Sequence, residues 1–178
     1  LAERINETLD EQYSRNLSRY VSAGLYEKAA LGHAIGRAPL GYRQEKSPSG
    51  RGARIVPDER TMPVLTELLR EYASGRYSFR TLALELNGKG HRTSSGKPFT
   101  ESSISTVLNN RFYDGKAVYH RGQTDEVVRD GLHHVPGEVK ELWQRCQDVR
   151  IERSIPGRHS PPEREQRVYP LTGILVCD

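Results

Sequence analysis

Apolar residues fall at every fourth position near the start of the chain: Ile5, Leu9, Tyr13, Leu17, Val21 and Leu25, with no proline from residue 2 to residue 31. This spacing predicts one helix of roughly 45 Å. Each step of four overshoots a full turn by about 40°, so the row winds about 200° around the helix and no single face can bury it. Such a helix either touches different partners along its length or lies as a stripe over its own core. The pattern leaves both open. Gly32 and Gly36 then end it.

Further along, the steps alternate between three and four, the spacing of a one-sided helix. Val64, Leu65, Leu68, Leu69, Tyr72 and Ala73 share a face, with Pro63 in the first turn and Gly75 as a stop. A second helix starts at a Ser78 cap, carries Phe79, Leu82, Ala83 and Leu86, and ends at Gly88 and Gly90. The third starts at Thr100 and runs to residue 110. It buries Ile104, Val107 and Leu108 and turns Ser102, Ser103, Ser105, Thr106 and Asn109 outward. Ahead of these helices, residues 33–43 read HAIGRAPLGYR, an extended arm punctuated by glycine and proline. Residues 42–44 and 53–56 predict a hairpin around a turn-rich tip at 47–52. Residues 117–119 and 126–129 predict a second hairpin. Val139, Leu142, Trp143, Cys146 and Val149 predict a last amphipathic helix, with Cys146 as a core thiol.

From Arg153 to Pro170 the chain is rich in proline and basic side chains and reads as a linker. Residues 171–177, LTGILVC, open a new apolar unit. The predicted class is α+β: a long N-terminal helix followed by a helix-turn-helix-like domain with small β-hairpins. Its divisions fall at residues 1–31, 32–152 and 153–178.

Charge changes the picture. The net +4 hides an asymmetry: residues 32–122 hold 15 Lys and Arg against eight Asp and Glu, while both flanks are slightly acidic. A basic middle is the footprint expected for binding a polyanion such as DNA or RNA, with a solvated basic surface as the plain alternative. The longest apolar run is four residues, 174–177, far short of the roughly 20 that a membrane helix needs. Two cysteines, 146 and 177, are too few for a disulfide scaffold, which points to a reducing, cytoplasmic setting. The chain opens on Leu1 without a signal peptide and reads as a piece of something longer.

The outward face of the third helix is its unusual feature. Ser, Thr and Asn lower helix propensity and compete for backbone hydrogen bonds, so an ordinary solvent face favours Glu and Lys instead. Short hydroxyls and amides suit close approach to base edges in a major groove. A marginal helix stabilised by its neighbours is the plainer account of the same residues. Residues 87–98, NGKGHRTSSGKP, place Lys89, Arg92 and Lys97 between the second and third helices, as in a helix-turn-helix with a long turn.

Enzymatic motifs are lacking. No Cys-x-x-Cys, Gly-x-Ser-x-Gly or Walker-type loop occurs, and Gly96-Lys97-Pro98 fails the last. His133 and His134, adjacent on an extended segment, would point to opposite faces and make a poor ion site. No catalytic and no metal-binding residue is assigned. A hydrolase or nuclease would need an acid cluster suited to two metals.

Taken together, several stretches resemble the recombinase domain of the large serine recombinases, or serine integrases. These are GRAPLGY at 36–42, VPDE at 56–59, YASG at 72–75, SFRTLALELNGKG at 78–90, RTSSGKPFTESSISTVLNNRFYDGKAVY at 92–119, the helix around Trp143, and LTGILVC. The resemblance implies that residues 1–31 end a linking helix that helps form the dimer, and that 32–152 bind half of an attachment site in double-stranded DNA. It also implies a zinc ribbon downstream, with Cys177 where the first ligand falls. No cofactor is expected in this chain itself, zinc belonging to that ribbon, and strand cleavage belongs to a catalytic serine domain not carried over to any residue here.

On that basis Ser102, Ser103, Thr106 and Asn109 are expected nearest the bases, with Thr100 and Ser105 on the same helix and Arg111 on phosphate. Arg37 is expected at the minor groove, and Tyr42, Arg43, Arg80, Arg92, Lys97 and Lys116 on the DNA backbone. Arg158 and Arg164 would follow the minor groove beyond. The competing class is a protein-interaction module docking through the winding row of the first helix.

Overall fold

The computed structural model describes residues 2–46, 53–120 and 122–154, with side chains from residue 11 onward. The order is α1 (Ala2–Ala30), β1 (Tyr42–Lys46), β2 (Ala53–Pro57), α2 (Met62–Ala73), α3 (Phe79–Gly88), α4 (Glu101–Leu108), a 3-10 turn (Arg111–Asp114), β3 (Lys116–Tyr119), β4 (Val127–Asp130) and α5 (Gly137–Ser154). The strands form two separate antiparallel hairpins, with Tyr42 opposite Pro57 and Lys116 opposite Asp130 at their ends. The expected class is the observed one: helices around one core, with two small hairpins beside them. The tip at 47–52 and everything from residue 155 on, including Arg158, Arg164 and Cys177, lie outside the described residues.

The core is where the alternating spacing predicts it. Leu65, Leu68, Leu69 and Tyr72 of α2, Leu82 and Leu86 of α3, Ile104 and Leu108 of α4, and Val139, Trp143 and Cys146 of α5 are all buried together. α2 packs along α5, and the Cys146 thiol lies 3.3 Å from the Leu69 carbonyl at the centre of that seam. Burial pushes the Cys146 thiol up to about 12. α5 runs past the expected boundary at 152: the Arg153 guanidinium donates to the carbonyls of Gly75 and Tyr77 and lies over the Tyr72 ring, 5.2 Å from its centre. Arg153 therefore belongs to the domain, not to a linker.

α1 behaves differently. Tyr13, Leu17, Tyr20 and Val21 are exposed, and the helix meets the body only near its end, where Ala29 is fully buried. From Tyr13 to Val21, the described part of this row is thus no stripe over its own core. Gly32 secures the join. Its φ is +81°, and a Cβ there would come within 2.5 Å of the Asp130 carbonyl oxygen, so only glycine fits. Leu132 N–H donates to the Gly32 carbonyl at 2.9 Å, tying the end of α1 to the segment after β4.

Candidate nucleic-acid interface

The connection between α3 and α4 is built from within. Asn87, at the end of α3, closes a two-bond ring with Phe99: its Nδ2 donates to the Phe99 carbonyl at 2.9 Å, and its Oδ1 accepts from the Phe99 N–H at 2.8 Å. The side-chain amide thus replaces a backbone strand partner. Thr93 closes the turn between them, its N–H and hydroxyl both donating to the Lys97 carbonyl. A basic loop is held open by two polar side chains and presented beside α4.

α4 starts with a reciprocal cap. Thr100 Oγ1 accepts from the Ser103 N–H, and Ser103 Oγ accepts from the Thr100 N–H. At its other end, Gln147 and Arg150 of α5 donate to the Leu108 carbonyl, and Arg150 also donates to Asn109 Oδ1 at 2.8 Å. Asn109 Nδ2 donates in turn to Ser105 Oγ. α4 therefore has two polar sides with different duties. One, with Ser105 and Asn109, is engaged with α5 and fixes the helix end. The other carries Ser103 and Thr106, with the exposed Ser102 between the two sides.

That second side opens into a hollow of about 540 Å3 whose lining includes Arg37 of the arm, Lys97 of the loop, and Thr100, Ser103 and Thr106 of α4. Residues separated by nearly 70 positions in sequence are brought to one concavity, floored by Leu40, Phe99 and Tyr113. The Tyr113 hydroxyl donates to the Leu40 carbonyl at 2.9 Å, which pins the arm to the 3-10 turn and so sets where Arg37 emerges. Burial pushes the Tyr113 phenol upward, so it stays protonated and remains a donor.

The remaining expected contacts separate into three groups. Arg37, Arg80 and Lys97 have no acidic partner among the described residues, and Arg92 donates only to the His91 carbonyl. Lys116, by contrast, pairs with Asp130 at 2.7 Å, Arg111 with Glu126 at 3.3 Å, and Arg43 approaches Glu45 at 3.9 Å. The Asp130 partner raises the Lys116 ammonium and is itself lowered by it.

Tyr42 is the clear correction. Its ring is buried edge-on against Phe112, with centroids 4.8 Å apart, and its hydroxyl is enclosed without a partner among the described residues. Burial pushes its phenol up to about 12. Tyr42 opens strand β1 with its side chain inward, so it is a core residue and not a backbone contact. A period-two pattern would have shown this, since Tyr42 and Gln44 lie on one face of the strand, but five residues in which only Tyr42 is strongly apolar give too weak an alternation.

Sequence reasoning also passed over a second basic hollow of about 330 Å3. It is lined by Lys28 and His33 at the end of α1, Arg54 of β2 and His134, with Ile55 and Leu132 among its apolar walls. Only their distance in sequence hid them. His133 also lines it, but its ring stacks on Phe112 at 3.6 Å, and Nε2 donates to the Phe112 carbonyl. Burial lowers its pKa, keeping the ring neutral.

No group of three or more potential metal ligands occurs among the described residues, and no helix there is long and apolar enough to cross a membrane.

No curated protein matches the chain. Among the solved structures that share its fold are the following two. One, described as "Sequence Requirements of the Listeria innocua prophage attP site", is 17% identical with a TM-score of 0.56, covering 73% of this chain and 50% of that one. The other, described as "Crystal Structure of a LSR-DNA Complex", is 18% identical with a TM-score of 0.55, covering 75% of this chain and 38% of that one. The chain thus spans half or less of these relatives. Residues 59–153, more than half of the chain, match the family described as Recombinase. From α2 to the last turn of α5, the helical core and the loop-and-helix unit that builds the hollow fall inside that match, and the chain belongs to the Recombinase family.

Proposed function

We propose that this chain binds double-stranded DNA in a sequence-dependent way, as the DNA-binding part of a site-specific serine recombinase, with α4 in the major groove and the arm at the adjacent minor groove. The observation that carries this reading is the shared hollow: an extended arm with Arg37, a basic loop with Lys97 and the outward side of α4 all face one concavity. Unpaired cations at its rim suit phosphates, while a helix with short side chains can approach base edges closely. The neighbouring structures described as an attP-site study and an LSR–DNA complex support the same reading.

In this arrangement Lys97, Arg92 and Arg80 hold phosphates, and Ser102 and Thr106 lie nearest the bases. Asn109 is held by α5 and Ser105 through one acceptor and one donor of its amide, which leaves its second N–H for a base. Strand cleavage is not assigned to any residue here. The test is titration with mixed-sequence duplex at low and high salt, followed by selection of bound duplexes from a random pool. Salt-sensitive binding and a recurring half-site motif are expected. Binding indifferent to salt would overturn the proposal, since neutralised phosphates release counterions.

A second, compatible reading concerns α1. Tyr13, Leu17, Tyr20 and Val21 leave an apolar row in solvent, which supports self-association or protein docking through this helix. Light scattering of the chain and of its Leu17→Glu variant tests it: a concentration-dependent rise in mass that the substitution abolishes is expected.

A further inference from the structure

The atoms that α4 offers to the hollow are not the ones its sequence suggests. Thr106 is exposed, but its hydroxyl donates back to the Ser102 carbonyl at 2.8 Å, one turn earlier. Ser103 is held in the same way within the cap: its hydroxyl donates to the Thr100 carbonyl at 2.8 Å and accepts from the Thr100 N–H. With its hydroxyl proton committed along the helix, the γ-methyl is the part of the exposed Thr106 side chain left without a polar role. Val107, Pro98 and Pro39 line the same hollow, so apolar groups share it with Thr106. Ser102, one turn away and exposed, makes no side-chain hydrogen bond among the described residues and keeps a free hydroxyl.

We infer that α4 reads a thymine through its C5-methyl group, with the Thr106 methyl, in the hollow it shares with Val107 and Pro98, as the specificity-determining contact. This rests on the DNA-binding reading above and goes beyond it by naming the chemical feature recognised. Among base edges in the major groove, only thymine offers a methyl group, and a threonine methyl is a suitable apolar partner for it. The Thr106 hydroxyl has committed its one proton to the Ser102 carbonyl, so donating to a base acceptor would first have to break that bond, and only its acceptor lone pairs remain for a base amino group.

The experiment replaces each thymine of a selected duplex in turn by deoxyuridine, which removes the methyl and nothing else. For the unaltered protein, one position per half-site is expected to lose roughly fourfold in affinity, the value of burying one methyl group. Thr106→Ser, which keeps the hydroxyl and loses the methyl, should bind thymine and uracil equally at that position. Thr106→Val, which keeps a methyl and loses the hydroxyl, should retain the preference. If the protein selects a duplex motif yet no thymine shows a penalty, or if Thr106→Ser retains the full penalty, the methyl contact is overturned while DNA binding stands. If no salt-sensitive duplex binding occurs at all, the underlying reading falls with it.

Discussion

Leu17 and Leu68 are both leucines in mid-helix, yet Leu17 is 51% exposed and Leu68 is fully buried. The difference lies in what surrounds them. Leu68 belongs to a row stepped by three and four residues, which stays on one side of α2 and meets α5. Leu17 belongs to a row stepped only by four, which winds away from any flat neighbour, and α1 touches the body only where that row ends. Helix α2 is also the more apolar of the two, so content and phase together decide which is core.

The sharpest way to break this contrast is to truncate both leucines. Leu68→Ala should cost about 2–5 kcal/mol in chemical denaturation, as buried leucines do, whereas Leu17→Ala should fall within about 0.5 kcal/mol. Equal effects would show that α1 is as much part of the folded unit as α2. Next in size is Gly41→Ala. The φ of +84° and a Cβ 2.6 Å from Leu65 Cδ2 set strain against the α2 core, and a loss of about 2–4 kcal/mol in thermal or denaturant unfolding is expected.

Asn87→Ala removes both bonds to Phe99 and should cost about 1–3 kcal/mol, with hydrogen exchange accelerating in residues 91–99 before the rest of the core. Smaller again is Glu67. Hydrogen bonds from Lys89 and then His91 hold its carboxyl below the ordinary value, so its contribution is present above that value and fades as pH falls through the lowered one. Glu67→Gln should therefore lower the denaturation midpoint at neutral pH and converge with the parent protein in acid. The smallest effect belongs to Tyr42→Phe: deleting a buried hydroxyl without a partner should leave stability level or slightly raised and leave DNA affinity unchanged. A large loss of affinity would restore Tyr42 to the interface.

Much of the fold was legible because each core helix carries its own punctuation. Ser78 and Thr100 cap where the sequence places caps, and both hairpins pair as expected. The site was less legible, and the reasons are particular. A list of Ser, Thr and Asn on α4 says nothing of which hydroxyls their own backbone engages, and that depends on rotamer. Nor does it show that Arg150, 41 residues away, donates to Asn109 and fixes its amide. Lys116 and Arg111 are indistinguishable in sequence from Lys97, yet strand pairing gives Lys116 an acidic partner and Glu126 shields Arg111. Local pattern reports faces; long-range partners decide which groups on a face remain available.

The thiol enclosed between α2 and α5 also supplies a clock. Alkylating reagents act on thiolate, and Cys146 is kept protonated and out of reach while these helices stay together. Its rate of modification, followed by mass spectrometry of the peptide that contains it, therefore counts the separations of α2 from α5. Comparing that rate with and without bound duplex would show whether DNA clamps the helices against each other or only settles on their outer surface.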